Sequence, residues 1–177
     1  TRHHGAEQGA RGEVGGAWPL GCKGCPEGIC TTRNGVEWHG MPSDKEGLHA
    51  GDIVKIDVTP KVDGWHGDTS ETYYVGKKIS AEAKLVTETA RKCLALGIAE
   101  VLPGRHLGNI GAAIQEYAEP LGCSVVREFC GHGINRTFHT APSVSHCGIR
   151  GEGVVMRPGM IFTIEPMING GHWKTKI

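Results

Sequence analysis

Three carboxylates and two imidazoles fall where this chain needs a reason to keep them. Asp57 lies between apolar neighbours in IVKIDVT, Asp68 in HGDTS and Glu165 in IFTIEPM. A carboxylate buried alone at such a place is costly, and a shared cation removes the cost. His132 and His139 stand seven residues apart in GHGINRTFH and offer imidazole nitrogens. Glycines on either side of His132 allow a sharp turn that would aim a histidine inward from a loop. A donor set of carboxylates with one or two imidazoles and no thiolate suits divalent manganese, iron, cobalt or zinc better than a closed structural zinc site. Two metals sharing an aspartate would make a hydrolytic centre that activates water and polarises a carbonyl. Taken singly, each residue also has a structural reading: the aspartates as turn or cap residues, Glu165 as an arginine partner, either histidine as a satisfied polar group.

The elements that must hold these residues follow from periodicity. GDIVKIDVTPKVDGWHGDTSETYYVG reads as a β-hairpin around Asp63-Gly64, a dipeptide suited to a type I′ turn, with an aspartate on each strand. Ser80 can cap a helix carrying Val86, Ala90, Cys93, Leu94 and Val101 on one face until Pro103-Gly104 stops it. A second helix presents Leu107, Ile110, Ile114 and Tyr117 on one side and has Pro120 near its end. SVVREF, the histidine loop and GMIFTIEPMI then read as strands joined by glycine- and proline-rich turns. Residues 1–17 lack an apolar period and are expected to form a loose arm.

Composition narrows the class. The 177 residues make one domain with a sizeable core, and 19 basic residues balance 19 acidic ones. No global field therefore favours sequence-specific nucleic acid or an anionic membrane. No apolar run approaches the roughly 20 residues of a membrane span, and no signal segment opens the chain. Seven cysteines, an odd number set mostly in periodic segments, point away from a disulfide scaffold and towards the cytoplasm.

The ordered series WHGMPSD, GDIVKIDVTPKVDGWHGDTSETYYVG, GHGINRTFHTAPSVSH and RPGMIFTIEPMI resembles the type I methionine aminopeptidases from about residue 18 onward. The gaps agree as well: eleven residues from Asp57 to Asp68, seven from His132 to His139, twenty-six from His139 to Glu165. The resemblance implies an α+β pita-bread fold of two halves related by a pseudo-twofold, with a metal centre between them. It makes residues 18–177 a partial catalytic domain. It implies that Asp57 binds one of two divalent ions (cobalt, manganese, iron or zinc), that Asp68 bridges both, and that His132 and Glu165 bind the other. His139 would hold the scissile carbonyl, His39 would contact the neighbouring peptide nitrogen, and Glu165 would also carry the proton. Cys30 and Phe138 would line the methionine pocket. The implied partner is the N-terminal methionine of nascent polypeptides, met transiently at the ribosome by a monomer.

Two departures from the family pattern stand out. A further bridging glutamate is expected beyond Ile177, so the chain reads as truncated, with the second ion held weakly. Cys22 and Cys25 stand where the family usually has aromatic residues, which would enlarge the pocket. Cys22, Cys25, Cys30 and His39 could instead bind zinc, although the spacing fits no common module. Other functions left open are a proline-type aminopeptidase or creatinase-like hydrolase and a non-catalytic binding module of the same fold.

Overall fold

The computed structural model describes residues 29–35 and 47–174, which fall into two compact units. The loose arm expected over 1–17, together with Cys22, Cys25 and His39, lies outside the described residues.

The first unit comprises residues up to 80 with 135–137. Its sheet has the order β1 (Ile29–Arg33), β2 (Ile53–Val58), β5 (Thr69–Tyr74), antiparallel throughout. Between β2 and β5 the two-residue strands β3 (Lys61–Val62) and β4 (Trp65–His66) form a separate tip. Asp63 and Gly64 both have positive φ, 51° and 83°, as the type I′ turn demands. The expected hairpin is thus present but interrupted. Gly67 N–H donates to the Pro60 carbonyl at 2.8 Å, and this bond pinches the ribbon between tip and base. Asp57 lies on β2 as expected, whereas Asp68 lies in the break before β5 and not on a strand. At the other end, Asn34 joins β1 to β2: its Nδ2 donates to Asp52 Oδ1 at 2.8 Å and its Oδ1 accepts from Ile53 N–H at 3.0 Å.

The second unit comprises residues 81–134 and 138 onward. Helix α1 (Ala81–Ala99) buries Cys93 and Gly97, with Val86, Ala90 and Leu94 half-buried beside them. It ends sooner than its apolar period suggests. Glu100 and Val101 N–H donate to the carbonyls of Gly97 and Ile98, three residues back, so the last turn tightens. Pro103 then bars Leu102 from helical dihedrals, leaving Val101 and Leu102 outside the helix and exposed. Helix α2 (Gly108–Ala118) matches expectation, with Ile110 and Ile114 fully buried and a single 3₁₀ turn, Glu119–Leu121, placed around Pro120. A Cβ on Gly97 would press on Ile110, Ile114 and Ile164, so glycine there sets how closely α1 and α2 approach.

These helices pack on short strands. β7 (Cys130–Gly133) pairs antiparallel with β8 (Thr140–Ser145), and β6 (Ser124–Val125) pairs with β9 (Ile168–Asn169). The core gathers Cys93, Ile110, Ile114, Val125, Val144 and Met156. The expected strand over GMIFTIEPMI is only partly regular. Residues 161–163 run beside β7 through bonds from Ile134 N–H to the Ile161 carbonyl and from Thr163 N–H to the His132 carbonyl, but no continuous ladder forms before β9. Pro158 and Pro166 lack the N–H groups such a ladder needs.

Candidate active site

His132 belongs to strand β7 and not to a loop. Gly131 and Gly133 are absent from the positive-φ residues, so they do not serve to turn the backbone. Their role is clearance. A Cβ on Gly131 would fall on the Thr163 carbonyl oxygen, and one on Gly133 on the Ala141 carbonyl oxygen. Only bare backbone lets the 161–165 segment on one side and β8 on the other come this close to the histidine. A bulge between His132 and Gly133 shifts the ladder at the same point, a common device for re-aiming a side chain.

The His132 ring is nearly buried, and its Nδ1–H donates to the Gly133 carbonyl at 3.0 Å. That bond fixes the tautomer, with the ring proton on Nδ1 and the Nε2 lone pair turned towards Glu165. Nε2 lies 3.5 Å from Glu165 Oε1. Two ligand atoms each about 2.1 Å from one ion and set at a tetrahedral angle stand about 3.4 Å apart, so this pair fits a shared divalent cation. Thr163 locks the pair. Its Oγ1 accepts the His132 N–H at 2.9 Å and donates to Glu165 Oε1 at 2.6 Å. Behind Glu165, the backbone N–H donates to Nε2 of the fully buried His146 at 3.0 Å. Burial pulls the His146 pKa down to about 4, so this ring is neutral near pH 7.

His139 stacks edge-on to His132 with centroids 4.3 Å apart, and Phe138 lies 4.3 Å from His139 and 5.3 Å from His132. The second unit therefore brings together His132, Phe138, His139 and Glu165. In the first unit, Asp57 is paired across the ladder with half-buried Cys30 on one side and Ser70 on the other. Residues directly opposite share a sheet face, so Cys30 and Asp57 point the same way. Asp68 is half-buried in the stretch between β4 and β5.

Sequence reasoning missed Thr163 and His146. Thr163 carried a signal, because residues two apart on an extended chain share a face and TIE therefore sets the hydroxyl beside the Glu165 carboxylate. His146 carried none beyond its place after the apolar positions of β8.

An imidazole closed on a carboxylate, backed by a hydroxyl and flanked by a second imidazole, is a donor set that could hold a divalent metal ion. Residues 4–176 match the model of metallopeptidase family M24, and the chain belongs to that family. It is 56% identical over 156 residues to methionine aminopeptidase A of Synechocystis, covering 88% of this chain and 61% of that protein. The crystal structure of methionine aminopeptidase from Rickettsia prowazekii superposes with a TM-score of 0.85 at 49% identity, covering 89% of this chain and 63% of that one. The prolidase from Pyrococcus horikoshii, at 23% identity and a TM-score of 0.66 over 78% of this chain and 39% of its own, shares the fold alone. The pita-bread fold expected from the motifs is the fold observed. The chain spans about six-tenths of the length of these methionine aminopeptidases. Among the described residues, no helix is long and apolar enough to cross a membrane.

Proposed function

We propose that this chain carries the catalytic machinery of a methionine aminopeptidase, which removes the N-terminal methionine from peptides and nascent proteins in the cytoplasm. The observation that carries this reading is the His132–Glu165 pair, spaced for one ion and flanked by His139. The names of the relatives at 49% and 56% identity support the substrate assignment. Asp57, Asp68, His132 and Glu165 are this chain's own contribution to the ligands of two divalent ions, the second held weakly, with manganese, iron, cobalt and zinc all compatible with the donor set. When bound, the metal supplies Lewis acidity and activation of water.

The chain's own residues do the rest. Glu165 takes a proton during attack on the peptide carbonyl and returns one to the departing amine. Thr163 keeps one carboxylate oxygen oriented while this happens. His139 donates to the oxygen of the scissile carbonyl as negative charge builds on it, and His39 binds the adjacent peptide nitrogen. Phe138 and Cys30 contribute apolar wall to the methionine pocket.

Hydrolysis of Met-Ala-type and Xaa-Pro peptides, measured with manganese, tests the assignment. Cleavage of the Met-Ala peptide alone is expected, and a preference for Xaa-Pro would move the chain to the proline-specific branch. Calorimetry on Asp68→Asn tests the ligand set. Loss of manganese binding is expected, and unchanged affinity would remove Asp68 from it.

A further inference from the structure

We infer that His146 is a positioning residue for Glu165: its imidazole accepts the Glu165 backbone N–H and so sets where the carboxylate points. The inference rests on the reading of Glu165 as a metal ligand and proton carrier.

The backbone around Glu165 has an unusual need. Pro166 confines Glu165 to extended dihedrals, and among the described residues the regular ladder beside β7 gives out after Thr163. An N–H shielded from water is disfavoured without an acceptor, and Glu165 is part-buried here. His146 Nε2 provides the acceptor at 3.0 Å. An imidazole nitrogen accepts an N–H only when unprotonated, so the proton of this neutral ring sits on Nδ1.

That Nδ1–H has no partner among the described residues, and the ring is 0% exposed. Packing alone would favour a phenyl ring here, which fills similar volume and buries no orphan donor. The retained imidazole contributes one thing that a phenyl ring cannot, the Nε2 acceptor. Glu165 is thereby held at two points, its backbone by His146 and its carboxylate by Thr163. Loss of the backbone hold lets the carboxylate drift from His132 without altering any proposed ligand. Partners of this outer kind typically change metal affinity by about 10–100-fold.

The test compares His146→Phe, which keeps the ring and removes the acceptor, with His146→Gln, whose amide oxygen can accept the same N–H, and with Glu165→Gln. Manganese affinity is measured by calorimetry and thermal unfolding is followed alongside. His146→Phe is expected to remain folded and to bind manganese about 10-fold or more weakly, while His146→Gln recovers most of the affinity. At saturating manganese, His146→Phe is expected to lower kcat on a Met-Ala peptide with little change in KM. Wild-type affinity in folded His146→Phe, or equal loss in both His146 variants with equal fall in Tm, overturns the positioning role. If Glu165→Gln weakens binding while His146→Phe does not, His146 alone has been misread. If Glu165→Gln leaves affinity unchanged, the ligand reading of Glu165 has failed and the positioning role falls with it. Nitrogen-15 NMR of the unmutated imidazole does not depend on any variant folding: a proton on Nδ1 with a bare, hydrogen-bonded Nε2 is expected, and a proton on Nε2 overturns the proposal.

Discussion

His132 and Thr163 are bonded in both directions: the His132 N–H donates to Thr163 Oγ1 at 2.9 Å, and the Thr163 N–H donates to the His132 carbonyl at 2.8 Å. The reciprocal pair stitches β7 to the segment that carries Glu165, and the same hydroxyl then reaches the Glu165 carboxylate. One side chain thus sets the spacing of two proposed ligands that are far apart in sequence.

Thr163→Val keeps the shape and deletes the hydroxyl. It strands the His132 N–H and releases Glu165 Oε1, so stability should fall by about 1–3 kcal/mol. Manganese affinity should fall by about 10-fold or more, and Thr163→Ser should restore most of both. Denaturant unfolding and calorimetry on the two variants measure these effects separately.

Gly131→Ala forces a methyl group onto the Thr163 carbonyl oxygen. Either β7 or the 161–165 segment must retreat, at about 1–3 kcal/mol for an overpacked site. The melting temperature should drop and manganese binding should weaken with it. Gly159→Ala makes a useful contrast, because that glycine has open space around it but a φ of 88°, so any loss there comes from backbone strain rather than from a clash.

His139→Ala removes a group that contacts His132 by its ring but is not among the proposed ligands. Turnover of a Met-Ala peptide should fall by about 10²-fold, as when an oxyanion donor is lost, with metal content unchanged. Loss of metal in the variant would show that the two histidines have exchanged roles.

An ion network on the second unit links stability to pH. Arg150 makes a two-pronged contact with Glu116, at 3.0 and 2.6 Å, and reaches Glu100 at 3.1 Å, where Arg105 also binds. Partial burial pushes the Glu100 carboxyl up, but hydrogen bonds from Arg150 and Arg105 outweigh it and hold the group below its ordinary 4.5. The Arg150 hydrogen bond likewise lowers Glu116. Carboxylates with depressed folded-state values contribute stability that is fully present above about 4.5 and is lost as pH falls through those lowered values. Arg150→Met should therefore lower Tm near pH 7, and the difference from the parent should shrink on acidification. Because the Arg150–Glu116 pair is solvent-exposed, 1 M salt should shrink it too. A pH series of thermal melts in low and high salt decides this, and a difference that persists at pH 2 would assign Arg150 a packing role instead.

What the sequence determined by itself was local or periodic. The positions of Asp57 on a strand, Ile110 and Ile114 on a buried helix face, and Asp63-Gly64 in a type I′ turn all follow from neighbours within a few residues, where propensity and spacing act directly. The motif spacings also carried the family, since Asp57, Asp68, His132, His139 and Glu165 keep intervals that chance does not supply. The end of α1 was misread because its apolar period runs on to Val101, while the tightened last turn and Pro103 end it at Ala99. Tertiary structure decided the rest. Gly131 and Gly133 read as turn-makers in sequence, yet they are required because the backbones of Thr163 and Ala141 pass within a methyl group's reach, which no local pattern encodes. Thr163 and His146 became site residues only through hydrogen bonds spanning 31 and 19 positions. A hydroxyl or a buried imidazole has no fixed role until the fold chooses its partner, and that choice is made by packing between segments whose separation in sequence says nothing of their distance in space.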